Sequence, residues 1–353
     1  MNTEERIRAF AGLGKFLRRF SEGTEPSSDP EKRMFGDLTE LVSTVHIHNQ
    51  WFSENNVKNA LKAIGENLDE QKLDEFIAPY RSKLDTKKPL RVGVIMAGNI
   101  PMVGFHDMLC VLLSGNRFVG KLSSDDKLLL PFVAKLLIMT EPRFNDCIEF
   151  TEDRLRNIEA VIATGSNNSA RYFEYYFGKY PNIIRQNRNS VAVLTGSESI
   201  AELRALGEDV FMYYGLGCRN VSKLFVPRGY KFDTFYSSII DFASLVQNNK
   251  YMNNYEYNRT VYLMSSDKSL LDNNFLLLKE DVNYSSPVGV LYYEYYDDIN
   301  ALNERLQKDQ SQIQCIVSGS TAIDNALPFG TAQCPGLSDF ADGVDTMEFL
   351  TGF

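Results

Sequence analysis

The sequence predicts an α/β protein: two α/β domains with parallel-rich sheets, preceded by a helical N-terminal segment. Two observations carry that expectation. From Leu90 onward, short apolar runs alternate with segments whose apolar residues recur at helical spacing, and the connections are short. Before Leu90, helical spacing dominates. With 353 residues, 44% of them hydrophobic, the chain can build two modest cores.

The first helix is expected over residues 3–20, where Ile7, Phe10, Leu13, Leu17 and Phe20 form a stripe among basic residues. Such a stripe packs on its own domain or, less commonly, lies on a membrane or a partner helix. A polar loop with two prolines covers 21–33, and helices follow over 34–48, 54–68 (capped by Ser53) and 69–80. His46 and His48 flank Ile47 at the spacing of one strand face. Neither has an acidic or thiol ligand near in sequence, so both are expected to be structural or surface histidines.

The run 91–96 reads as a buried strand that ends in Ala97-Gly98-Asn99-Ile100-Pro101. A helix (106–114), a strand (117–121) and a second helix (127–139) follow. The pattern repeats with a strand at 158–163 and a helix that starts after Thr164-Gly165-Ser166-Asn167. This alternation is that of a parallel, nucleotide-binding sheet. Backbone N–H groups at a capped helix start suit a pyrophosphate, although a simple turn and cap explain Gly165 and Ser166 equally well. The G-x-G-x-x-G fingerprint is missing, so a nucleotide would have to be held in another way. Further strands are expected at 190–195, 223–227, 259–264, 274–279, 287–293 and 314–318, with helices at 200–214, 232–247 and 299–308. The Tyr/Asn-rich stretch 248–257 reads equally as a substrate-channel lining or as core.

Net charge is −9 and no long basic run stands out, which argues against nucleic acid as a partner. Five cysteines without C-x-x-C spacing fit a reducing compartment and argue against a disulfide framework or a thiolate metal site, so no metal is expected. The N-terminus lacks a signal-peptide pattern, and the most apolar stretch, 92–119, is broken by polar residues. A cytoplasmic protein without a membrane span is expected.

Among the cysteines, Cys218 has the most informative setting: Tyr213-Tyr214-Gly215-Leu216-Gly217-Cys218-Arg219-Asn220-Val221. The glycines permit a sharp turn and close approach, and a cysteine presented there beside a cation can act as a nucleophile. The other reading, a small buried core thiol, is equally open on local sequence. Asn99 can merely end a strand, and Lys121 can be a strand-end surface lysine. His106 and Asp107 point apart on a helix and read as structural.

Taken together, the motifs Gly98-Asn99-Ile100-Pro101, Lys121-Leu122-Ser123-Ser124, Gly215-Leu216-Gly217-Cys218-Arg219-Asn220-Val221 and Ala341-Asp342-Gly343-Val344-Asp345-Thr346 resemble the aldehyde dehydrogenase superfamily. Within it, they resemble the acyl-CoA reductase family that includes the fatty-acid reductase subunit of bacterial luminescence systems. The resemblance implies an aldehyde dehydrogenase-like fold and an NAD(P)H-dependent reduction of an acyl thioester to an aldehyde, within fatty acid metabolism. It implies Cys218 as the acyl-accepting nucleophile, and Asn99 as an oxyanion donor together with the Cys218 N–H. It further implies Lys121 at the adenosine ribose and Ser166, with Gly165, at the pyrophosphate. The domains it implies are a helical segment (1–89), a nucleotide-binding domain (90–198), a catalytic domain (199–330) and a tail (331–353) returning toward the cofactor domain.

Two departures from the superfamily sharpen the reading. Residues 185–189 carry no carboxylate where a hydrolytic base would stand, which favours reduction over acid formation. Position 124 is Ser where NAD-preferring members often carry Glu, so NADPH is the expected cofactor, with NADH also accommodated. The partners implied are an acyl-CoA or another acyl thioester and an acyl-activating or acyl-transferring protein. Only residues 82–89 stand where the superfamily's oligomerisation hairpin would be, which leaves the oligomeric state open. The alternatives are a non-acylating aldehyde dehydrogenase and a binding protein that kept the fold without the chemistry.

Overall fold

In the computed structural model, which describes residues 1–85, 88–265 and 270–353, four helices open the chain. They are α1 (Thr3–Ser21), α2 (Asp29–Thr44), α3 (Glu54–Asn67) and α4 (Glu70–Ile77). A capping box starts α1: the Asn2 side chain accepts from the Glu5 N–H, and the Glu5 carboxylate accepts from the Asn2 N–H. The anticipated stripe of α1 is wholly buried, packing with Val57 and Leu61 of α3 and with Leu73 of α4. His46 and His48 do not lie on a strand. They sit in and just after a short 3-10 turn, Val45–Ile47, and are exposed.

The alternating region then begins with β1 (Arg91–Ile95), α5 (Phe105–Leu113), β2 (Arg117–Lys121), α6 (Leu129–Thr140) and β3 (Ile148–Thr151). It continues with β4 (Ala160–Thr164), α7 (Asn167–Phe177) and β5 (Asn182–Arg185). These strands form one parallel sheet in the order β3-β2-β1-β4-β5. The chain winds outward from β1 through β2 to β3, then returns to the other side of β1 for β4. The winding direction therefore reverses at the carboxyl ends of β1 and β4, the kind of position at which open parallel sheets bind ligands. The two four-residue edge strands, β3 and β5, are additions to the sequence reading.

The chain divides into two compact units, residues 1–186 with 336–353, and residues 187–335. The returning segment ends in α12 (Thr346–Thr351), whose Met347 and Leu350 join the core that holds Leu109 and Leu113 of α5.

The second unit contains β6 (Asn189–Val193), α8 (Ile200–Phe211), β7 (Val221–Pro227), α9 (Asp233–Ser238) and α10 (Asn249–Met264). It is completed by β8 (Leu271–Asp272), β9 (Leu277–Glu280), β10 (Val290–Tyr296), α11 (Ile299–Lys308) and β11 (Ile313–Ser318). The strand order is β11-β6-β7-β10-β9-β8, parallel except for the short edge strand β8. Opposite faces of this sheet bury α8, through Leu203 and Leu206, and α11, through Leu302 and Leu306.

Three expectations change here. The strand expected over 259–264 is the last part of α10. The helix expected over 232–247 is α9 followed by a 3-10 segment, Ile240–Gln247. The strand expected over 190–195, assigned to the nucleotide-binding domain, is β6 and pairs with β7 and β11 in the second sheet. The shortness of the segment 82–89 falls partly outside the described residues.

Candidate active site

The thiol singled out by the sequence sits on a strained turn. α8 stops at Phe211, and the chain continues through a 3-10 segment in which Tyr213 and Tyr214 both adopt left-handed angles, with φ of 54° and 60°. Residues other than Gly and Asn rarely do this, at a cost of roughly 1–2 kcal/mol each. Gly215 (φ 76°) and Gly217 (φ 100°) follow, the latter in a region that side chains rarely enter. Four of the five residues before Cys218 therefore have positive φ. Backbone strain of this kind gathers at functional sites.

Cys218 is half-buried just before β7. Its carbonyl accepts a 2.9 Å hydrogen bond from the Ser190 hydroxyl on β6. The neighbouring cation is directed at the backbone: Arg219 Nη1 donates to the Ala332 carbonyl at 3.3 Å. The loop bearing that carbonyl is held in turn by Asp209 of α8, which accepts from the Gly330 and Ala332 N–H groups at 2.6 and 2.9 Å. Asp209 is completely buried, and loss of hydration pushes its pKa up to about 6 against the pull of those two donors. Burial likewise pushes the Tyr213 hydroxyl up to about 12 and raises the Cys315 thiol above its ordinary range. Ser190 and Asp209 were not among the residues expected from sequence. A signal for Asp209 was present, since its carboxylate falls on the apolar face that α8 forms with Leu203, Leu206 and Val210.

The other candidate residues lie in the first unit, on the carboxyl edge of its sheet. Asn99 is exposed on the loop after β1. Beside it Gly98 is buried so closely that an added Cβ would lie 2.5 Å from Ser123 Oγ. Two further residues that the sequence did not reveal hold this loop. The buried Asn49 amide donates to the carbonyls of Gly98 and Asp125 at 3.4 and 3.2 Å. Asp126 accepts from the N–H groups of Met102 and Leu129 at 3.4 and 3.2 Å, and its burial pushes its carboxyl pKa up. The loops after β1 and β2 are thereby fastened to each other. Lys121 ends β2, half-buried and in register with Ile95 of β1, and Ser124 is exposed on the loop beyond. Asp125 follows directly, so a carboxylate stands one residue past Ser124. Gly165 and Ser166 follow β4, and Ser166 caps α7 by accepting from the Ser169 N–H at 3.3 Å.

Asn99, Lys121, Ser124, Gly165 and Ser166 are thus gathered at the carboxyl ends of three adjacent strands, while Cys218 belongs to the other unit. His106 and Asp107 have structural contacts. His106 Nε2 lies 2.8 Å from the Leu337 carbonyl, and Asp107 pairs with Arg185 at 2.7 Å, both side chains buried. Arg185 also donates to Thr346 at 2.9 Å. The first residue of the carboxylate-free stretch is therefore committed to the interior.

The folds of known structures define the class. An NAD-dependent benzaldehyde dehydrogenase from Corynebacterium glutamicum is 12% identical, matching 92% of this chain and 80% of its own, with a TM-score of 0.66. An NAD-dependent aldehyde dehydrogenase from Sinorhizobium meliloti is 13% identical, over 92% and 72% of the two chains, with a TM-score of 0.65. A Mycobacterium tuberculosis aldehyde dehydrogenase, solved with NAD+, is 14% identical over 91% and 74%, with a TM-score of 0.60. The chain has the aldehyde dehydrogenase fold. No curated protein matches it in sequence. The sequence profile of the acyl-CoA reductase (LuxC) family matches residues 32–234, more than half of the chain and every candidate residue named above from Asn99 to Cys218. The chain belongs to that family.

Proposed function

We propose that the protein reduces an acyl thioester, an acyl-CoA or a related species, to the aldehyde, with Cys218 as nucleophile and a nicotinamide cofactor as hydride donor. The observation that carries this reading is a cysteine on a strained Gly-Leu-Gly turn in a chain of the acyl-CoA reductase family. In the proposed reaction the Cys218 thiolate attacks the thioester carbonyl, the bond to the CoA sulfur breaks, and the acyl group is carried as a Cys218 thioester. The Cys218 N–H and the Asn99 amide are proposed as donors to the oxygen that becomes negative during attack. Cys218 would hold the acyl group as a thioester and regain its thiolate as the aldehyde leaves; a reduced nicotinamide, when bound, would supply the hydride for that step.

The residues at the first sheet's carboxyl edge fit such a cofactor. The Ser166-capped start of α7 offers N–H groups to a pyrophosphate, and Lys121 offers a cation to a ribose or its phosphate. NADPH is the proposed cofactor, with NADH accommodated, because position 124 carries no carboxylate; Asp125 tempers that preference. Residues 185–189 carry no carboxylate and Arg185 is buried against Asp107, so this stretch offers the acyl-enzyme no base to activate water. Reduction is therefore favoured over hydrolysis.

The test is a stoichiometry. With an acyl-CoA and NADPH or NADH, one aldehyde and one CoA thiol should appear for each nicotinamide oxidised. Oxidation of aldehydes to acids without CoA, and no reduction of thioesters, would overturn the proposal.

A further inference from the structure

Ser190 is fully buried on β6 and grips the nucleophile's turn at two points. Its N–H donates to the Asn220 carbonyl at 3.2 Å, and its hydroxyl donates to the Cys218 carbonyl at 2.9 Å. On its other side the hydroxyl oxygen receives the Cys315 N–H at 3.2 Å and stands 3.0 Å from Cys315 Sγ. A hydroxyl has one proton and two lone pairs. A carbonyl oxygen is a far better acceptor than sulfur, so the proton goes to Cys218, and the Cys315 N–H and S–H occupy the lone pairs. Burial keeps the Cys315 thiol protonated and able to donate. The chain of bonds therefore runs from Cys315 to Ser190 to the peptide that follows the nucleophile, with every group of the hydroxyl used.

The turn needs this hold. Its internal bonds are longer, 3.2 Å from the Leu216 N–H to the Tyr213 carbonyl and 3.4 Å from the Asn220 N–H to the Gly217 carbonyl. Gly217, immediately before the thiol, adds rotational freedom of its own. Fixing the Cys218 carbonyl restricts the torsion between its Cα and carbonyl carbon, and with it the directions of the Cα–Cβ and Cα–N bonds that carry the sulfur and the N–H.

We infer that Ser190 is a positioning residue for the nucleophile, its hydroxyl, supported by Cys315, holding Cys218 in the orientation that attack on a carbonyl requires. This rests on Cys218 being the nucleophile proposed above. Two reactions of the same sulfur separate positioning from general structure. Acylation by octanoyl-CoA needs sulfur and oxyanion donor aligned together, whereas alkylation by iodoacetamide needs only an accessible thiolate. Misplacing reacting groups by about 1 Å can cost roughly 100-fold.

Ser190→Ala should acylate roughly 10–100-fold more slowly than the parent, with alkylation changed less than about threefold and KM for octanoyl-CoA little altered. Cys315→Ala, which keeps the Ser190 bond to Cys218 and the residue-315 backbone N–H but removes the S–H contact, should give a smaller loss in the same direction, and serves if Ser190→Ala does not fold. Equal falls in acylation and alkylation, or no fall in acylation, would overturn the inference while leaving the nucleophile assignment standing. A parent protein that alkylates at Cys218 but forms no thioester there would overturn both.

Discussion

Asp209 offers a prediction whose size can be worked out. Its carboxylate is completely buried, carries a pKa of about 6 against an ordinary 3.8, and braces the loop whose carbonyl receives Arg219. The native pKa is the higher one, so this group's contribution to stability is complete below pH 3.8 and is lost as pH rises through about 6. A gap from 3.8 to about 6 corresponds to about 3 kcal/mol when the loss is complete. Of that total, the linkage relation places about 1.4 kcal/mol between pH 5 and pH 8. Asp209→Asn cannot titrate, and it sets an NH2 group against one of two N–H donors, so it should be less stable at every pH. The informative quantity is the stability difference between the two proteins. That difference should shrink by about 1.4 kcal/mol between pH 5 and pH 8, because only the parent pays for ionising a buried acid. Urea unfolding of both full-length proteins, followed by far-ultraviolet circular dichroism at several pH values, measures it. A difference independent of pH, or one that grows with pH, would show that Asp209 titrates as an ordinary or a stabilised carboxylate.

Three further outcomes follow from the first sheet's carboxyl edge. Asn99→Ala should slow single-turnover acylation by roughly 100–1000-fold with little effect on cofactor affinity; unchanged acylation would remove Asn99 from the oxyanion role. Asn49→Ala strands the Gly98 and Asp125 carbonyls. It should cost about 1–3 kcal/mol of stability and weaken cofactor binding, read by thermal melting and titration calorimetry. Ser124→Glu should move the ratio of kcat/KM values toward NADH and Asp125→Asn toward NADPH, because a carboxylate near a ribose 2′-phosphate repels it. Ratios unmoved in both variants would place cofactor discrimination elsewhere.

Much of this architecture was legible in the residues. The β1–α5–β2–α6 succession and β4–α7 follow from buried apolar runs, helical spacing and turn residues, and the turn at Cys218 from its two glycines. The failures have physical causes. The run Arg259–Met264 reads as a strand because it carries Thr, Val and Tyr, yet burial of Tyr251, Tyr255 and Asn258 at helical spacing sets it in α10. The edge strands β3 and β5 are four residues long and only partly buried, too short to show a period. Positive φ at Tyr213 and Tyr214 leaves no mark in composition. Asn49, Asp126, Ser190 and Asp209 act through backbone groups distant in sequence, so only the folded chain shows what they hold.

The central claim is that Cys218 carries the acyl group. The direct measurement is to mix the protein with octanoyl-CoA in the absence of any nicotinamide, quench in acid and analyse the peptides by mass spectrometry. An octanoyl thioester should be found on the peptide bearing Cys218, should be absent from Cys218→Ala, and should disappear with release of aldehyde when NADPH is added before the quench. An unmodified Cys218 peptide, or an acyl group on Cys315 or Cys334 that turns over in its place, would contradict the account.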